Sequence, residues 1–385
     1  MDFTHDDEQK ALAEAVRGLL ARTYGSYEDR RRTVKDEPGY DEKLWTGLAE
    51  MGVLGLPFSE ADGGMGAGPI ESALVAEELG RVIAPEPFLT SVVLAGGLVA
   101  ALGTDAQRAE TLGALSEGEL LLAPALAEPG RGWTAEARDV VATGSGDAWT
   151  LEGVKEPVPH GATAGRLVVT AALPDGGTGV FLVEGDADGV TRTGYATHDG
   201  GRAAQVRLSG ASATLLGDGT TDAAAAVARV VDETRVVACH QALGAMTVAL
   251  ESTTEYLRSR KQFGVPLATF QALTFRAADM YVSLELARSL AQWAAMVLGA
   301  ASTGSADADP ADAARRAALG TSRAARHVGQ EAIQLHGGIA MTAEYHVGNY
   351  VSHLTALDHL LGDGHHHLRA LAADVGGHAE VDPLP

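Results

Sequence analysis

Hydrophobic positions follow a helical period at the two ends of the chain and a strand period in the middle. Near the N-terminus, Leu12, Val16 and Leu19 recur at three- and four-residue intervals, which places them on one face of a helix. Similar apolar stretches predict helices over residues 44–51, 70–79, 89–102 and 105–115. We therefore expect a helical domain over residues 1–120.

The apolar period shortens at about residue 121. From there, short runs rich in β-branched residues are separated by Gly, Asp and Pro, a pattern typical of strands joined by turns. The predicted strands lie within residues 139–143, 149–152, 166–171, 179–183 and 205–208. They indicate a β domain over residues 121–221.

Longer helical patterns return after residue 222. Leu243, Met246 and Leu250 form one apolar stripe, and a second stripe runs from Leu273 to Ala287 at alternating intervals of four and three. A third helix is predicted over residues 313–335, after a loop rich in Ala, Asp, Ser and Gly. Long amphipathic helices normally form a bundle, which we expect over residues 222–380. The predicted fold class is mainly α with a central β domain.

Composition narrows the classes of function. The one cysteine, Cys239, excludes a disulfide scaffold and a cysteine-rich metal site, and its helical context predicts a packed core thiol. The formal charge of −22 disfavours nucleic-acid binding, because an acidic surface repels phosphate backbones. The acidic N-terminus is unlike a signal or transit peptide, and no apolar run is long enough to span a membrane. A cytoplasmic protein is expected.

Five sets of short motifs occur in order and at compatible spacings. They are Leu48-Ala49-Glu50-Met51-Gly52 with the loop from Pro57 to Gly64 and Glu77-Glu78-Leu79-Gly80; Ala127-Glu128-Pro129-Gly130; Leu151-Glu152-Gly153-Val154-Lys155; Arg260-Lys261-Gln262-Phe263-Gly264 followed by Phe270-Gln271; and Gln334-Leu335-His336-Gly337-Gly338. Any one of them is weak, but the Arg-x-x-Phe-Gly and Gln-x-x-Gly-Gly pair is specific. Together they resemble the acyl-CoA dehydrogenase family over nearly the whole chain.

The resemblance implies a fold, an activity and a set of partners. The fold is an N-terminal helical domain, a middle β-barrel or sandwich and a C-terminal four-helix bundle. The activity is FAD-dependent α,β-dehydrogenation of an acyl-CoA thioester, in which a carboxylate removes the α-proton and the β-hydrogen leaves as hydride to the flavin. An electron-transfer flavoprotein is the implied electron acceptor, and a tetramer is the implied assembly.

Two segments resemble one branch of the family in particular. They are Leu335-His336-Gly337-Gly338-Ile339 and Leu361-Gly362-Asp363 followed by His366-His367-Leu368. Both look like the small subunit of pimeloyl-CoA dehydrogenases and the related actinobacterial heteromeric enzymes. We therefore expect this chain to be one subunit of a heteromer.

In the family, residues near the ends of the bundle helices reach the FAD of a neighbouring subunit. The residues of this chain at the matching positions are Arg260, Phe263, Gly264, Gln271, Gln334, Gly337 and Gly338. A guanidinium suits a diphosphate in charge and geometry, and glycines let the backbone approach a ligand closely. We expect these residues to bind FAD.

Positions that serve the subunit's own flavin depart from the family pattern. Ala127 and Trp133 stand where the family has threonine and serine. Pro159 stands where the family has a threonine that donates near flavin N5, and proline has neither an N–H nor a hydroxyl. Loss of the chain's own flavin site is the favoured interpretation, and an altered flavin cradle is the alternative.

The catalytic carboxylate is absent from both of its usual positions in the family. Leu361 occupies one of them, and Thr234 occupies the other, directly before Arg235. Asp363 lies two residues beyond Leu361 and is the candidate base. Its alternative role is that of N-cap for the helix that follows. Glu233 adjoins Thr234 but faces about 100° away on a helix.

The run of His365, His366 and His367 does not predict a metal site. Adjacent histidines on a helix point in different directions, and no partner ligands have suitable spacing. Solvated or capping roles are expected, and no metal is assigned.

Three functional hypotheses follow from the sequence. The chain is a subunit that completes a partner's FAD site, a homo-oligomeric dehydrogenase that uses Asp363, or a flavin-free structural subunit. The acyl group of the substrate is left open, because spacing says nothing about the side chains that line an acyl cleft.

Overall fold

The computed structural model describes residues 4–146, 148–219, 222–342 and 344–377. The helices that precede the sheet are α1 (Asp7–Thr23), α2 (Tyr27–Thr33), α3 (Glu42–Glu50), α4 (Pro69–Arg81), α5 (Gly97–Leu102) and α6 (Asp105–Ser116). A π-helical stretch, Phe88–Gly96, leads directly into α5. Local side chains fix several of the N-termini. Asp6, for example, accepts a hydrogen bond from the Gln9 amide at the start of α1.

The strands are β1 (Leu122–Ala125), β2 (Val141–Ser145), β3 (Ala148–Pro159), β4 (Arg166–Ala172), β5 (Thr178–Glu184), β6 (Val190–Ala196) and β7 (Arg202–Leu215). They belong to one sheet that closes on itself through the pairings β4–β2, β2–β3, β3–β7, β7–β5 and β5–β4. β1 extends the sheet beside β4, and β6 extends it beside β7. Alternate side chains such as Trp149, Leu151 and Phe181 fill the interior.

The C-terminal helices are α7 (Ala224–Ser259), α8 (Gln271–Ser302), α9 (Pro310–His336), α10 (Val347–Leu360) and α11 (Gly364–Ala373). A short hairpin, β8 (Lys261–Gln262) and β9 (Val265–Pro266), connects α7 to α8. Small buried side chains such as Ala287, Ala291 and Ala317 let α8 and α9 approach closely. α4 packs against α7 and ties the N-terminal helices to the bundle.

The predicted fold class is confirmed, since helices flank a central β region. Two strands of the large sheet, and the short hairpin of β8 and β9, were not predicted. β1 is buried at every position, so it has no alternating pattern to detect. β6 is mostly exposed and pairs with β7 alone, so it lacks an apolar face.

No helix in the described part of the chain is long and apolar enough to cross a membrane.

Candidate functional site

One end of the bundle gathers the seven residues at which the sequence predicts FAD binding. α7 ends at Ser259 and α9 ends at His336, while α8 begins at Gln271. The antiparallel course of these helices therefore places both motifs at the same end. We call this the bundle-end surface and define it by Arg260, Phe263, Gly264, Gln271, Gln334, Gly337 and Gly338.

Specific contacts hold the helix ends together below this surface. The Arg276 guanidinium at the start of α8 forms two hydrogen bonds with the Glu331 carboxylate on α9, at 2.5 and 3.0 Å. The ring centroids of Tyr256 on α7 and His336 on α9 lie 4.6 Å apart. The amide of Leu267 donates to the carbonyl of Arg260 at 2.8 Å, which closes the hairpin segment.

The polar side chains of the bundle-end surface are available to a ligand. Arg260, Gln271 and Gln334 are exposed, and their side chains form no hydrogen bond or ion pair with any residue the structure describes. Phe263, at the tip of the hairpin, is 93% exposed. A nearly bare phenylalanine beside an unpaired arginine is typical of a surface that becomes buried in an assembly.

Gly337 has a backbone conformation that depends on the absence of a side chain. Its φ of 68° and ψ of −147° lie in a region that is essentially restricted to glycine. A Cβ atom built on Gly337 or Gly338 would have no heavy atom outside the chain neighbours within 4 Å. The turn therefore leaves open space in which a ligand can approach the backbone.

The Glu-Pro-Gly loop is held by a buried ion pair. Lys155 is fully buried, and its ammonium donates at 3.0 Å to the Glu128 carboxylate, the Leu126 carbonyl and the Thr170 hydroxyl. The same carboxylate accepts hydrogen bonds from the backbone amides of residues 138–140. Both charged side chains are thus occupied in shaping the loop. Their retention does not depend on a flavin.

A polar cavity of about 500 Å³ lies between this loop and the start of α11. Its walls include Glu128, Trp133, Pro157, Asp363 and Arg369. The loop residues that differ from the family pattern therefore face the same space as the candidate base.

Arg235 contacts two residues that line this cavity, Trp133 and His366. Its guanidinium donates twice to the carbonyl of Leu361, at 2.9 and 2.6 Å, and once to Asp232, at 2.7 Å. It also lies over the Trp133 ring, with 5.6 Å from the guanidinium carbon to the ring centroid. Leu361 itself is 6% exposed and belongs to the hydrophobic core. The residue that the resemblance aligns with the family's catalytic glutamate is thus a packed leucine.

Asp363 forms the N-cap of α11. Its carboxylate accepts the His366 amide at 2.8 Å, and this backbone hydrogen bond lowers the pKa of Asp363 below its ordinary value. Glu233, the other carboxylate considered, forms an ion pair with Arg229 at 3.7 Å and does not line the polar cavity.

The three adjacent histidines differ in burial. His365 is exposed, but His367 is 3% exposed, and burial lowers its pKa to about 3. The expectation of a solvated or capping role was therefore wrong for His367, because its side chain turns inward beside Leu361 and Gly362. Cys239 is buried, as expected for a core thiol.

Comparison with known proteins decides the family. The acyl-CoA dehydrogenase N-terminal domain matches residues 6–119, and the acyl-CoA dehydrogenase C-terminal domain matches residues 223–376. Acyl-CoA dehydrogenase FadE27 of Mycobacterium tuberculosis is 30% identical over 97% of this chain and 99% of its own length. The chain belongs to the acyl-CoA dehydrogenase family. The enzyme class is therefore that of oxidoreductases acting on a CH–CH bond, and the cofactor of the family is FAD.

Two solved structures of this family are similar over almost the whole chain. A variant of the Tcur3481-Tcur3483 steroid ACAD has a TM-score of 0.86 and 32% identity, covering 96% of this chain and 98% of its own. The ChsE4-ChsE5 complex from Mycobacterium tuberculosis has a TM-score of 0.87 and 28% identity, covering 99% of this chain and 100% of its own.

The resemblance assigns flavin contacts to two groups of residues in this chain, and the two groups differ in how well their side chains suit FAD. At the bundle-end surface, Arg260, Gln271 and Gln334 offer unpaired polar groups, and the glycine turn leaves room for a diphosphate. Trp133, which lines the polar cavity, is stacked on Arg235. Pro159, which lines a neighbouring cavity, has no N–H or hydroxyl to donate. Sequence reasoning missed the stack of Trp133 on Arg235, because nothing in the local pattern around either residue signals the contact.

Proposed function

We propose that this chain is a subunit of a heteromeric acyl-CoA dehydrogenase and completes the FAD site of its partner rather than one of its own. The observation that carries the proposal is the contrast between the two ends of the flavin site. Three free polar side chains stand at the bundle-end surface, whereas two buried residues without a carboxylate, Leu361 and Thr234, stand at the two positions that the resemblance assigns to the catalytic base.

The chain would then divide the work with its partner. Arg260 pairs with the FAD diphosphate, and the amides of Gln271 and Gln334 donate to it, while the partner supplies the base and the acyl cleft. FAD held there would supply the hydride-accepting chemistry for dehydrogenation of the acyl-CoA substrate. An electron-transfer flavoprotein is the proposed acceptor of the electrons.

Apolar residues along α8 support an interface next to this surface. Phe275, Val282 and Leu286 are 64%, 54% and 63% exposed, and they lie on one side of the helix. Two of the similar solved structures bear paired names, Tcur3481-Tcur3483 and ChsE4-ChsE5, which supports assembly from two different chains. The name of the Tcur3481-Tcur3483 structure includes the word steroid, which supports a bulky acyl group as one candidate for the substrate of this chain.

The test is flavin stoichiometry with and without a partner. The chain is co-expressed with a family member that has an intact catalytic carboxylate and flavin loop. We expect FAD in the complex at one per pair of unlike chains, and none in this chain alone. Arg260→Ala should strip flavin absorbance from the complex. Arg258→Ala, an exposed arginine in the same segment, should leave it in place.

The rival functions give different results. Purification of the chain alone as a homo-oligomer with one FAD per subunit and acyl-CoA turnover would refute the proposal. If Asp363 were then the base, Asp363→Asn would abolish turnover with flavin retained, although asparagine preserves the helix cap. If Arg260→Ala left both the activity and the flavin absorbance of the complex unchanged, this chain would not contact the flavin. That result would favour a purely structural subunit.

A further inference from the structure

A second cavity, of about 460 Å³, lies where the three parts of the chain meet. We call it the apolar cavity. One wall comes from the segment that leads into the π-helical stretch, one from the β domain and one from α10. Apolar side chains dominate its lining, among them Pro87, Leu89, Pro159, Ala356 and Leu360. Its size is in the range of pockets that enclose small organic ligands.

The charged groups around this cavity are already paired. The Asp199 carboxylate accepts from Nδ1 of His353 at 2.9 Å and from the Thr197 hydroxyl at 2.6 Å. Nε2 of His353 lies 3.3 Å from the side-chain amide nitrogen of Gln241. Because an amide nitrogen only donates, Nε2 of His353 is the acceptor in this contact. Arg30 donates to the carbonyls of Ile83 and Asp199. Arg202, which also lines the cavity, forms an ion pair with Glu37 at 3.0 Å. Neither arginine in the lining is therefore free to bind an anionic ligand.

Glu86 and His160 also line the cavity, and each has a buried atom without a partner among the described residues. One carboxylate oxygen of Glu86 accepts from the Tyr24 hydroxyl at 2.6 Å and the Asp41 amide at 3.0 Å, while Oε2 has no partner in the described chain. Nδ1 of His160 likewise has none. Burial raises the pKa of Glu86 to about 7 and lowers the pKa of His160 to about 4. The cavity thus favours uncharged groups.

We infer that the apolar cavity is a binding site for an uncharged, mostly apolar molecule that carries one hydroxyl or carbonyl group. The apolar walls would cover its body, and Glu86 and His160 would supply the hydrogen-bonding groups nearest to its oxygen. The cavity adjoins Pro159, where the family places a donor to the flavin. On the proposed function, in which this chain holds no flavin of its own, the space remains free for a neutral ligand.

An ionised ligand fits this space poorly. A carboxylate or a phosphate would lose its hydration among proline, leucine and alanine side chains. It would also approach the negative charge of Asp199, which hydrogen bonds from His353, Thr197 and the Gly201 amide keep ionised in spite of its burial. The inference does not depend on a partner subunit, because every wall of the cavity belongs to this chain.

The inference is tested by calorimetric titration of the purified full-length chain with 1-decanol, and with decanoate as the matched anion. We expect one 1-decanol per chain at pH 6, where Glu86 keeps its proton, and at least tenfold weaker binding of decanoate. Ala356→Trp, which fills the cavity from the half-buried face of α10, should weaken 1-decanol binding at least tenfold. Ala356→Leu is the milder variant, expected to weaken it about threefold. Leu368→Trp, outside the cavity, is the control and should change it less than twofold.

Several results would overturn the inference. Equal affinity for decanoate would refute the uncharged class, and full affinity in both Ala356 variants would place the bound alcohol elsewhere. Absence of 1-decanol binding to the folded wild-type chain would refute the site altogether. Flavin absorbance is recorded on the same samples. Flavin bound to the chain alone would count against the proposed function, whereas the 1-decanol titration tests the apolar cavity.

Discussion

The guanidinium of Arg235 lies over the indole ring of Trp133, 5.6 Å from its centroid, and at the same time binds the carbonyl of Leu361. A helix of the bundle, the Glu-Pro-Gly loop and the turn before α11 therefore meet at one buried cation. The loop and the turn both border the polar cavity, and Arg235 links them to each other.

Arg235→Lys should destabilise the chain by roughly 2–4 kcal/mol, because it removes paired hydrogen bonds from a buried charge. A lysine cannot reproduce the fork that spans Leu361 and Asp232, and it stacks less well on Trp133. Urea unfolding measures the loss. Arg229→Lys on the same helix, where the arginine side chain is 61% exposed, is the control and should cost less than about 0.5 kcal/mol. Equal losses of unfolding free energy in the two variants would contradict a stabilising role for the hydrogen bonds of Arg235.

The sequence could predict those features that depend on local pattern. Helical period revealed α1 and the long bundle helices, and spacing of turn residues revealed most of the strands. The two motifs at Arg260 and Gln334 could be placed at the ends of helices from residue order and spacing alone. Each of these features depends on residues that lie close together in the sequence.

Contacts between distant segments could not be predicted in this way. Arg235 and Trp133 are far apart in the sequence, and neither lies in a pattern that points to the other. Glu128 and Lys155 were visible as parts of two separate motifs, yet their direct pairing appeared only in the structure. The position of Leu361 showed that a carboxylate was missing, but its carbonyl contact with Arg235 is a property of tertiary packing.

Lys155→Met should cost about 3–5 kcal/mol of folding free energy, because removal of one partner leaves the Glu128 carboxylate buried without its cation. The backbone amides of residues 138–140 would still bind the carboxylate, so folding is expected to survive at low temperature. Thermal and urea unfolding provide the measurement. Lys43→Met, at an exposed lysine, should change stability by less than about 0.5 kcal/mol. A loss below about 1 kcal/mol for Lys155→Met would show that the ion pair is not needed.

Gly337→Ala should strain the turn after α9 by about 1–3 kcal/mol, since alanine rarely adopts its φ of 68° with ψ of −147°. Relief of that strain would move the backbone of the bundle-end surface, so FAD content of the proposed complex should fall as well. Gly18→Ala in α1, where a Cβ atom meets nothing, should raise stability by up to about 1 kcal/mol. Unchanged flavin content in the Gly337→Ala variant would show that the conformation of this turn does not affect cofactor binding.

Glu86 is expected to make stability fall as pH rises towards neutrality. Burial raises its pKa from 4.5 to about 7, so the folded chain keeps a proton that the unfolded chain releases between these values. The stabilising contribution is complete below about pH 4.5 and is lost as the pH rises through 7. A difference of this size corresponds to roughly 3 kcal/mol.

Glu86→Gln removes this titration, so the stability of the variant relative to wild type should increase between pH 4 and pH 8. Urea unfolding of both proteins at several pH values gives the difference directly, because other titrating groups cancel in the comparison. Tyr24→Phe is the complementary variant. It removes the hydroxyl that stabilises the Glu86 carboxylate, and it should therefore raise the pKa of Glu86 further and extend the window to higher pH. Parallel pH profiles for wild type and Glu86→Gln would show that Glu86 stays ionised in the folded chain. The apolar cavity would then carry a second negative charge beside Asp199.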